Sequence, residues 1–399
     1  MPSESLATEP TGRGDKPELV VLTNTPTPYR IPFFNALHES LQAHGAALRV
    51  FYCALREPHR HWELRLDEQA YPWQVLAGWH PSVGGWHPHL NPSVVPELRR
   101  ARPRWILSAG AWNLPTVLLA AHHLLTGTTY RIFWSEGHEK SVLHPSGLIA
   151  AVRRRALRAY DAVAVPNEAS ARFVRSETGE QTRVLLLPNT VDDEFFRQPT
   201  QAERTTARKY FGVTEDRAVI LSVAQLEDRK GILELLSGYE RLPDQLRVNT
   251  VLVLVGEGSF RSVLETRARA LASGEVRVVG HLDESGVREW LWAADVFALA
   301  TKLDPNPLSV IEAAFCGLPL IVSRQAGNVG ELVQDVNGMV LERIDPEHVT
   351  AVLQRFLMRR RETWRAMGER SMGIADVGFR RRNVARHFVE ELMAGSGSG

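Results

Sequence analysis

The sequence predicts an α/β protein made of two Rossmann-like, doubly wound domains that face a cleft. Apolar runs alternate with stretches of helical periodicity along most of the chain, the order that arises when crossover helices join parallel strands. The alternation falls into two series, 18–187 and 218–323, on either side of a polar stretch at 198–208. At 399 residues the chain also exceeds what one hydrophobic core usually serves.

In the first series, residues 18–24 read as a strand. Phe33, Leu37 and Leu41 then share one helical face, Gly45 closes that helix, and a second strand follows at 48–54, completing one βαβ unit. Residues 56–97, with Trp62, Trp73, Trp79 and Trp86 among His and Pro, read as an irregular insertion. Strands resume at 104–109, 130–136, 162–166 and 183–187. The second series reads as strands at 218–223, 250–255, 276–279, 296–300 and 319–323, with helices at 231–239, 260–272, 286–293 and 308–316. The resulting boundaries are a flexible tail at 1–17, domains at 18–197 and 216–375 with a junction at 198–215, and a linker-like tail at 395–399. Residues 376–394 are expected as a C-terminal helix packing back on the N-terminal domain.

Composition narrows the function. Hydrophobic residues are 44% and charged residues 23%, ordinary for a globular protein. The formal charge of +1 offers no global basic field, so nucleic acid is not an expected partner and any anion site is local. Two cysteines, Cys53 and Cys316, are too few for a disulfide framework and fit a reducing compartment. No apolar run approaches the roughly 20 residues that span a bilayer, and the N-terminus lacks a secretory pattern, so a cytoplasmic protein is expected.

In doubly wound sheets ligands gather at the carboxyl ends of the strands. Three such loops in the second series form a set. Residues 224–231, Ala-Gln-Leu-Glu-Asp-Arg-Lys-Gly, open a helix whose positive end, with Arg229 and Lys230, suits phosphate oxygens. Lys occurs only five times beside 42 Arg, which draws attention to Lys230; a solvated surface pair is the competing reading. Gly256-Glu257-Gly258-Ser259 lets backbone approach a ligand, or is a plain tight turn. The third loop, Asp304-Pro305-Asn306-Pro307-Leu308-Ser309, leads into a helix bearing Glu312. Pro305 and Pro307 keep Asp304 outside that helix, and eight helical residues span about 12 Å, so the two acids suit different parts of one long ligand. Glu312 lies among apolar neighbours and needs a partner, either a ligand hydroxyl pair or an internal salt bridge. Residues 323–331 supply small residues and a short helix where backbone N–H groups suit phosphate and Glu331 caps or binds.

These loops, in this order and spacing, resemble the retaining GT-B glycosyltransferases of family four, most specifically over 222–340. The resemblance implies a nucleotide-sugar donor as co-substrate, no separate cofactor and no catalytic metal. It implies donor contacts from Gln225, Arg229, Lys230, Gly256, Glu257, Asp304, Asn306, Pro307, Leu308, Ser309 and Glu312. Asp304 would meet sugar hydroxyls and Glu312 the ribose. Asp304 stands where the family usually has Glu, and Gln225 where it usually has Arg, with Arg229 placed to compensate. Catalytic roles fall on Lys230 and Asp304, with Glu136 or His138 from Trp134-Ser135-Glu136-Gly137-His138 as the N-domain contribution. The domain 18–197 would then take a carbohydrate or glycolipid acceptor and 216–375 the donor. Residues 23–34 look like a subgroup of the family; Tyr29 and Arg30 suit phosphate or acceptor, while a structural salt bridge is the equal alternative for Arg30.

Trp79 and Trp86 are expected to stack on the acceptor's sugar or lipid. His59, His61, His80, His87 and His89 match no metal-ligand spacing. Arg153, Arg154, Arg155 and Arg158, near Leu148, Ile149 and Val152, read as a basic helix face that is either solvated or rests on the anionic inner face of the plasma membrane. The rivals are a non-catalytic nucleotide-sugar sensor and an NAD-dependent oxidoreductase; the latter lacks G-x-G-x-x-G after either first strand. The expected product is a cell-surface glycan.

Overall fold

A computed structural model of the chain describes residues 17–57, 65–81, 88–110, 115–124, 127–139 and 146–395. The chain divides into two compact units, residues 1–190 with 381–399, and residues 191–380.

The first unit holds a parallel sheet of β1 (Leu19–Thr23), β2 (Leu48–Tyr52), β3 (Trp73–Val75), β4 (Trp105–Ala109), β5 (Tyr130–Trp134), β6 (Ala162–Val165) and β7 (Arg183–Leu186), in the order β3-β2-β1-β4-β5-β6-β7. Leu19 and Val21 belong to one buried cluster and Val20 and Leu22 to another, so period-two alternation feeds a core on each face. The helix Arg30–Ala43 covers one face with Phe33, Phe34 and Leu37. The terminal helix Arg381–Gly395 packs beside it through Phe388 and Val389.

The second unit repeats the plan with β8 (Ala218–Val223), β9 (Thr250–Val255), β10 (Glu275–Gly280), β11 (Val296–Leu299), β12 (Leu320–Ser323) and β13 (Gly338–Leu341), in the order β10-β9-β8-β11-β12-β13, all parallel. Val219 and Leu221 face one core, Ala218 and Ile220 the other.

Several details depart from the sequence reading. The stretch 56–97 is not wholly irregular: β3 pairs with β2 in the register Val50↔Trp73, with Trp73 edge-on to Tyr52, and the helix Val94–Ala101 starts inside it. Three residues after a proline carry too little alternation to register as a strand. The stretch 198–215 is no linker either. It contains the helix Gln201–Tyr210, started by a Thr200–Glu203 capping box. Its inward face is polar, which hid it: Arg208 is 1% exposed and, with Arg204, bonds Asp295 and the last carbonyls of the helix Glu284–Ala293. Asp295 in turn accepts from the backbone N–H of Val219, tying this helix to the start of β8. Residues 376–378 end the helix Arg361–Gly378, so the terminal helix starts later than the sequence suggested.

The four arginines of 153–158 do not form one basic face. Arg153 is buried on Glu177, Arg154 lies 3.8 Å from the same carboxylate, and the Arg158 Nε–H donates to the Thr178 carbonyl. The exposed face of that helix, Gly147–Leu157, carries Leu148, Ile149 and Val152, with Arg155 after them.

Removing one partner from a buried ion cluster strands the others without compensation. Asp295→Asn is therefore expected to cost about 3 kcal/mol and to lower the thermal midpoint clearly. Glu347→Gln, which breaks the exposed pair with Arg241, should leave the midpoint in place. Equal effects from the two substitutions would show that the Asp295 cluster anchors nothing.

Candidate active site

In both sheets the strand order reverses between the first strand of the unit and a later one, β1 against β4 and β8 against β11. Loops leaving two such strands diverge, and a crevice opens where they part.

In the second unit this crevice is built by close backbone contact. After β8 the chain makes a single 3-10 turn, Asp228–Lys230, and passes Gly231 at φ +60° into the helix Ile232–Glu240. A Cβ on Gly231 would lie 1.8 Å from the carbonyl oxygen of Ala300 at the end of β11, so only glycine lets the two loops meet. The Arg229 carbonyl then accepts from the N–H groups of Lys302 and Leu303, at 2.9 and 3.1 Å, and from the Thr301 hydroxyl at 2.9 Å. Lys230 and Asp304 are brought together, and the ammonium donates to the Asp304 carboxylate. The Asn306 N–H reaches the other carboxylate oxygen at 3.3 Å.

The loop after β12 closes the far side. Gly327 N–H donates to the Asp304 carbonyl at 2.8 Å, and the Asn328 amide donates to the Pro307 carbonyl at 3.0 Å. Both amide atoms of Asn306 and the Asn328 Oδ1 are buried without a protein partner, a surplus of hydrogen-bonding capacity at one spot. The helix Leu308–Phe315 starts beside them, with Pro307 at its N-cap and Leu308 and Ser309 in its first turn. Pro307 shows φ −67°, the value its ring imposes.

Glu312 sits one turn into that helix and makes no ion pair among the described residues, so the internal salt bridge is absent. Glu312 is half-buried; loss of hydration, and secondarily the charge of Glu284, push its carboxyl up to about 8.

The glycine loop after β9 has a structural reason of its own. A Cβ on Gly256 would lie 1.9 Å from the Ala224 carbonyl oxygen, and one on Gly258 would lie 2.5 Å from that of Leu226. The backbone these glycines admit is the loop after β8, which they brace through Leu226 N–H to the Glu257 carbonyl at 2.8 Å. The Glu257 side chain pairs with Arg261. Arg229 is exposed and donates to Gln225 and Glu227, so its charge lies within one hydrogen bond of position 225.

In the first unit, Arg30 lies seven residues past Thr23 at the end of β1, as Lys230 lies seven past Val223 at the end of β8. Its guanidinium donates to Thr23 Oγ1 at 3.0 Å and Glu136 at 3.1 Å, and rests over Trp134 with Tyr29 beside it. The salt bridge weighed for Arg30 is therefore present, and Glu136 also accepts from the Asn189 amide at 2.9 Å. Around them Asn24 Oδ1, Thr25 Oγ1, Thr27 Oγ1, Trp134 Nε1 and Asn189 Oδ1 are buried without a protein partner. Asn189 was not foreseen from sequence, since a polar residue in a loop carries no periodicity. His138 is half-buried two residues beyond Glu136. Trp79 is 68% exposed, whereas Trp62, Trp86, His59, His61 and His87 lie outside the described residues.

Residues 203–372, which span the loops of the second unit just described, match the family Glycosyl transferases group 1. A D-inositol 3-phosphate glycosyltransferase of Xylanimonas cellulosilytica is 28% identical over 249 residues, 60% of this chain and 57% of that protein. A glycogen synthase of Mycobacterium tuberculosis is 32% identical over 136 residues, 34% of this chain and 32% of that one. The chain spans about half the length of the curated relatives it matches. Among solved structures, HepE of Anabaena in complex with UDP superposes with a TM-score of 0.74 at 15% identity, over 94% of this chain and all, 100%, of that one. A glycosyltransferase of Rickettsia africae does so with a TM-score of 0.75 at 11% identity, over 96% and 100%. The chain thus has the two-sheet GT-B fold of those structures.

A carboxyl whose folded pKa is raised keeps its proton where the unfolded chain has lost it. Native stability then falls as pH rises from the ordinary carboxyl value towards about 8, the value for Glu312. Glu312→Gln is expected to remove this slope, leaving the variant several degrees more heat-stable than the wild type at pH 8 and level with it at pH 4.5. Parallel melting curves across that range would mean that Glu312 ionises freely in the folded chain.

Proposed function

We propose that this chain is a retaining glycosyltransferase that moves a sugar from a nucleotide diphosphate-sugar to an acceptor hydroxyl. The observation that carries the reading is Lys230 held on Asp304 at the switch point of the second unit, beside an unpaired Glu312. The Asp304 carboxylate occupies Lys230 until a diphosphate arrives. The ammonium then turns to phosphate oxygens and Asp304 is released towards sugar hydroxyls. Arg229, through Gln225, supplies the second positive charge. A ribose diol gives Glu312 the donors it lacks, so the carboxylate form becomes the favoured one on binding.

Charge on the leaving diphosphate is met by Lys230, Arg229 and the backbone N–H groups around 306–308 and 327 rather than by a cofactor or a metal ion. The acceptor oxygen bonds to the anomeric carbon on the face from which the diphosphate departs; the carbon–oxygen bond breaks with its electron pair on the diphosphate, and the hydroxyl proton leaves with it. The first unit takes the acceptor, with Arg30, Glu136 and Asn189 around the unpartnered hydroxyls of Thr25 and Thr27. Related proteins support this direction: HepE structures hold UDP-glucose or UDP with glucose, and one relative acts in lipopolysaccharide core biosynthesis. A glycan of the cell surface, made in the cytoplasm, is the product that reading favours.

A panel of UDP-, GDP-, ADP- and TDP-sugars tests the donor side by thermal stabilisation. One nucleotide family should raise the wild-type midpoint by several degrees, with little response from Glu312→Gln, and the sugar should be transferred with its anomeric configuration kept in the presence of EDTA. An inverted product by NMR, or no stabilisation by any member, would refute the reading.

A peripheral membrane contact has one specific observation in its favour: Leu148, at 81% exposed, with Ile149 and Val152 on one helix face that ends in Arg155. No helix among the described residues is long and apolar enough to cross a membrane. Vesicles containing anionic lipid should sediment the wild type and release a Leu148→Ser, Ile149→Ser, Val152→Ser variant; identical sedimentation of the two proteins would leave this face as ordinary surface.

A further inference from the structure

Beyond the ends of β2 and β3, a short ribbon in the first unit sets three titratable side chains in a row. Trp79 and Leu90 exchange backbone hydrogen bonds at 2.8 and 3.0 Å, which makes His80 and His89 the adjoining antiparallel pair. The ribbon is fixed from beneath. Buried Asn91 donates from its amide to the carbonyls of Cys53 and Leu76, at 2.9 and 2.8 Å, and Thr116 donates to the His89 carbonyl at 2.7 Å. A Cβ on Gly78 would lie 2.2 Å from the Asn91 amide, so the segment has no room to shift.

His89, 2% exposed, has its Nε2 at 3.2 Å from a Glu57 carboxylate oxygen and its Nδ1 at 3.0 Å from Nδ1 of His80. The protons follow from counting donors. A carboxylate only accepts, so His89 Nε2 carries a hydrogen; with both rings neutral, His89 Nδ1 then accepts and His80 Nδ1 is the donor. That leaves the second nitrogen of His80, Nε2, with a bare lone pair on an exposed residue. The histidine side chain in water prefers its proton on Nε2, so His80 is held in its less favoured tautomer by His89. Partial loss of hydration, and then the neighbouring His89, also hold His80 below its ordinary pKa.

We propose that Glu57, His89 and His80 form a relay that presents His80 Nε2 as a fixed hydrogen-bond acceptor for a non-reacting hydroxyl of a neutral sugar acceptor. The inference rests on the reading of the first unit as the acceptor side. A lone pair repels phosphate and carboxylate, so this position selects hydroxyls, in contrast to the cationic Arg30. The need of a buried histidine for partners explains the Glu57–His89 bond; it does not explain an exposed second histidine locked in the rarer tautomer. Glu57 and His89 are positioning residues, and His80 is the group that touches the ligand.

Long-range ¹H–¹⁵N NMR on the full chain with labelled histidine reads the relay directly. His80 should carry its proton on Nδ1 in the wild type. In His89→Gln, which keeps a partner for Glu57 and loses the one for His80, it should revert to Nε2. Kinetics read the ligand: with the sugar nucleotide that stabilises the wild type, transfer to methyl glycosides is compared with hydrolysis to water. His80→Ala should raise the KM for the glycoside about five- to tenfold, the worth of one neutral hydrogen bond, with hydrolysis unchanged; His80→Gln, whose amide oxygen replaces the lone pair, should recover part of the loss. A wild-type His80 protonated on Nε2, or an unchanged glycoside KM in His80→Ala, would overturn the relay while leaving the glycosyltransferase reading intact. A wild type that consumes no sugar nucleotide would overturn the parent reading, and this one with it.

Discussion

The donor-side crevice depends on one backbone approach, Gly231 against the carbonyl of Ala300. Parallel sheets place the ends of β8 and β11 side by side, but nothing in strand pairing fixes how their loops leave. The absent side chain lets the loop after β8 lie flat on the end of β11, where the Arg229 carbonyl gathers donors from Thr301, Lys302 and Leu303. Once that joint is made, Lys230 and Asp304 have little choice of neighbour, although 74 residues of chain separate them. Gly256 and Gly258 repeat the device one strand away. The glycines therefore serve the ligand at second hand, by fixing backbone that carries the charged side chains.

Much of the architecture was legible because the interior strands are buried on both faces and read as unbroken apolar runs, as at 218–223 and 250–255. What escaped had one of two causes. β3 is a three-residue edge strand, too short to show a period. The helix Gln201–Tyr210 buries guanidinium groups where a helix ordinarily buries leucine, so its inward face looks like a solvent face. The same inversion misled the reading of 153–158 as one basic face, since Arg153 is enclosed on Glu177. In a chain with 42 Arg, charge is a poor guide to exposure.

The residues of the candidate donor site were legible for a different reason. Pro305 and Pro307 announce a chain that cannot yet be helical, and a carboxylate in the apolar helix that follows demands an explanation. Sequence could not decide between a ligand and an internal partner for Glu312; the structure shows no ion-pair partner for it among the described residues. Nor could it foresee that Asp304 would already be engaged. Its bond to Lys230 lowers the electrostatic cost of holding an ammonium in a half-closed crevice before any ligand is present.

Arg30 and Lys230 occupy equivalent places in two sheets of the same design, yet their surroundings imply different partners. The Asp304 carboxylate is shared between Lys230 and a single backbone N–H, so a diphosphate has one ion pair to exchange. Glu136 is held by Arg30 and Asn189 together, and Arg30 is further fixed by Thr23 and by the Trp134 ring. Displacing that guanidinium means breaking several interactions at once. The unsatisfied atoms beside it are hydroxyl, amide and indole groups, which exchange hydrogen bonds with a polyol as readily as with water. A cation locked into a network, bordered by neutral donors and acceptors, orients hydroxyls more readily than it captures an anion. The two switch points are thus the same backbone solution set to different chemistry by how tightly each cation is already held.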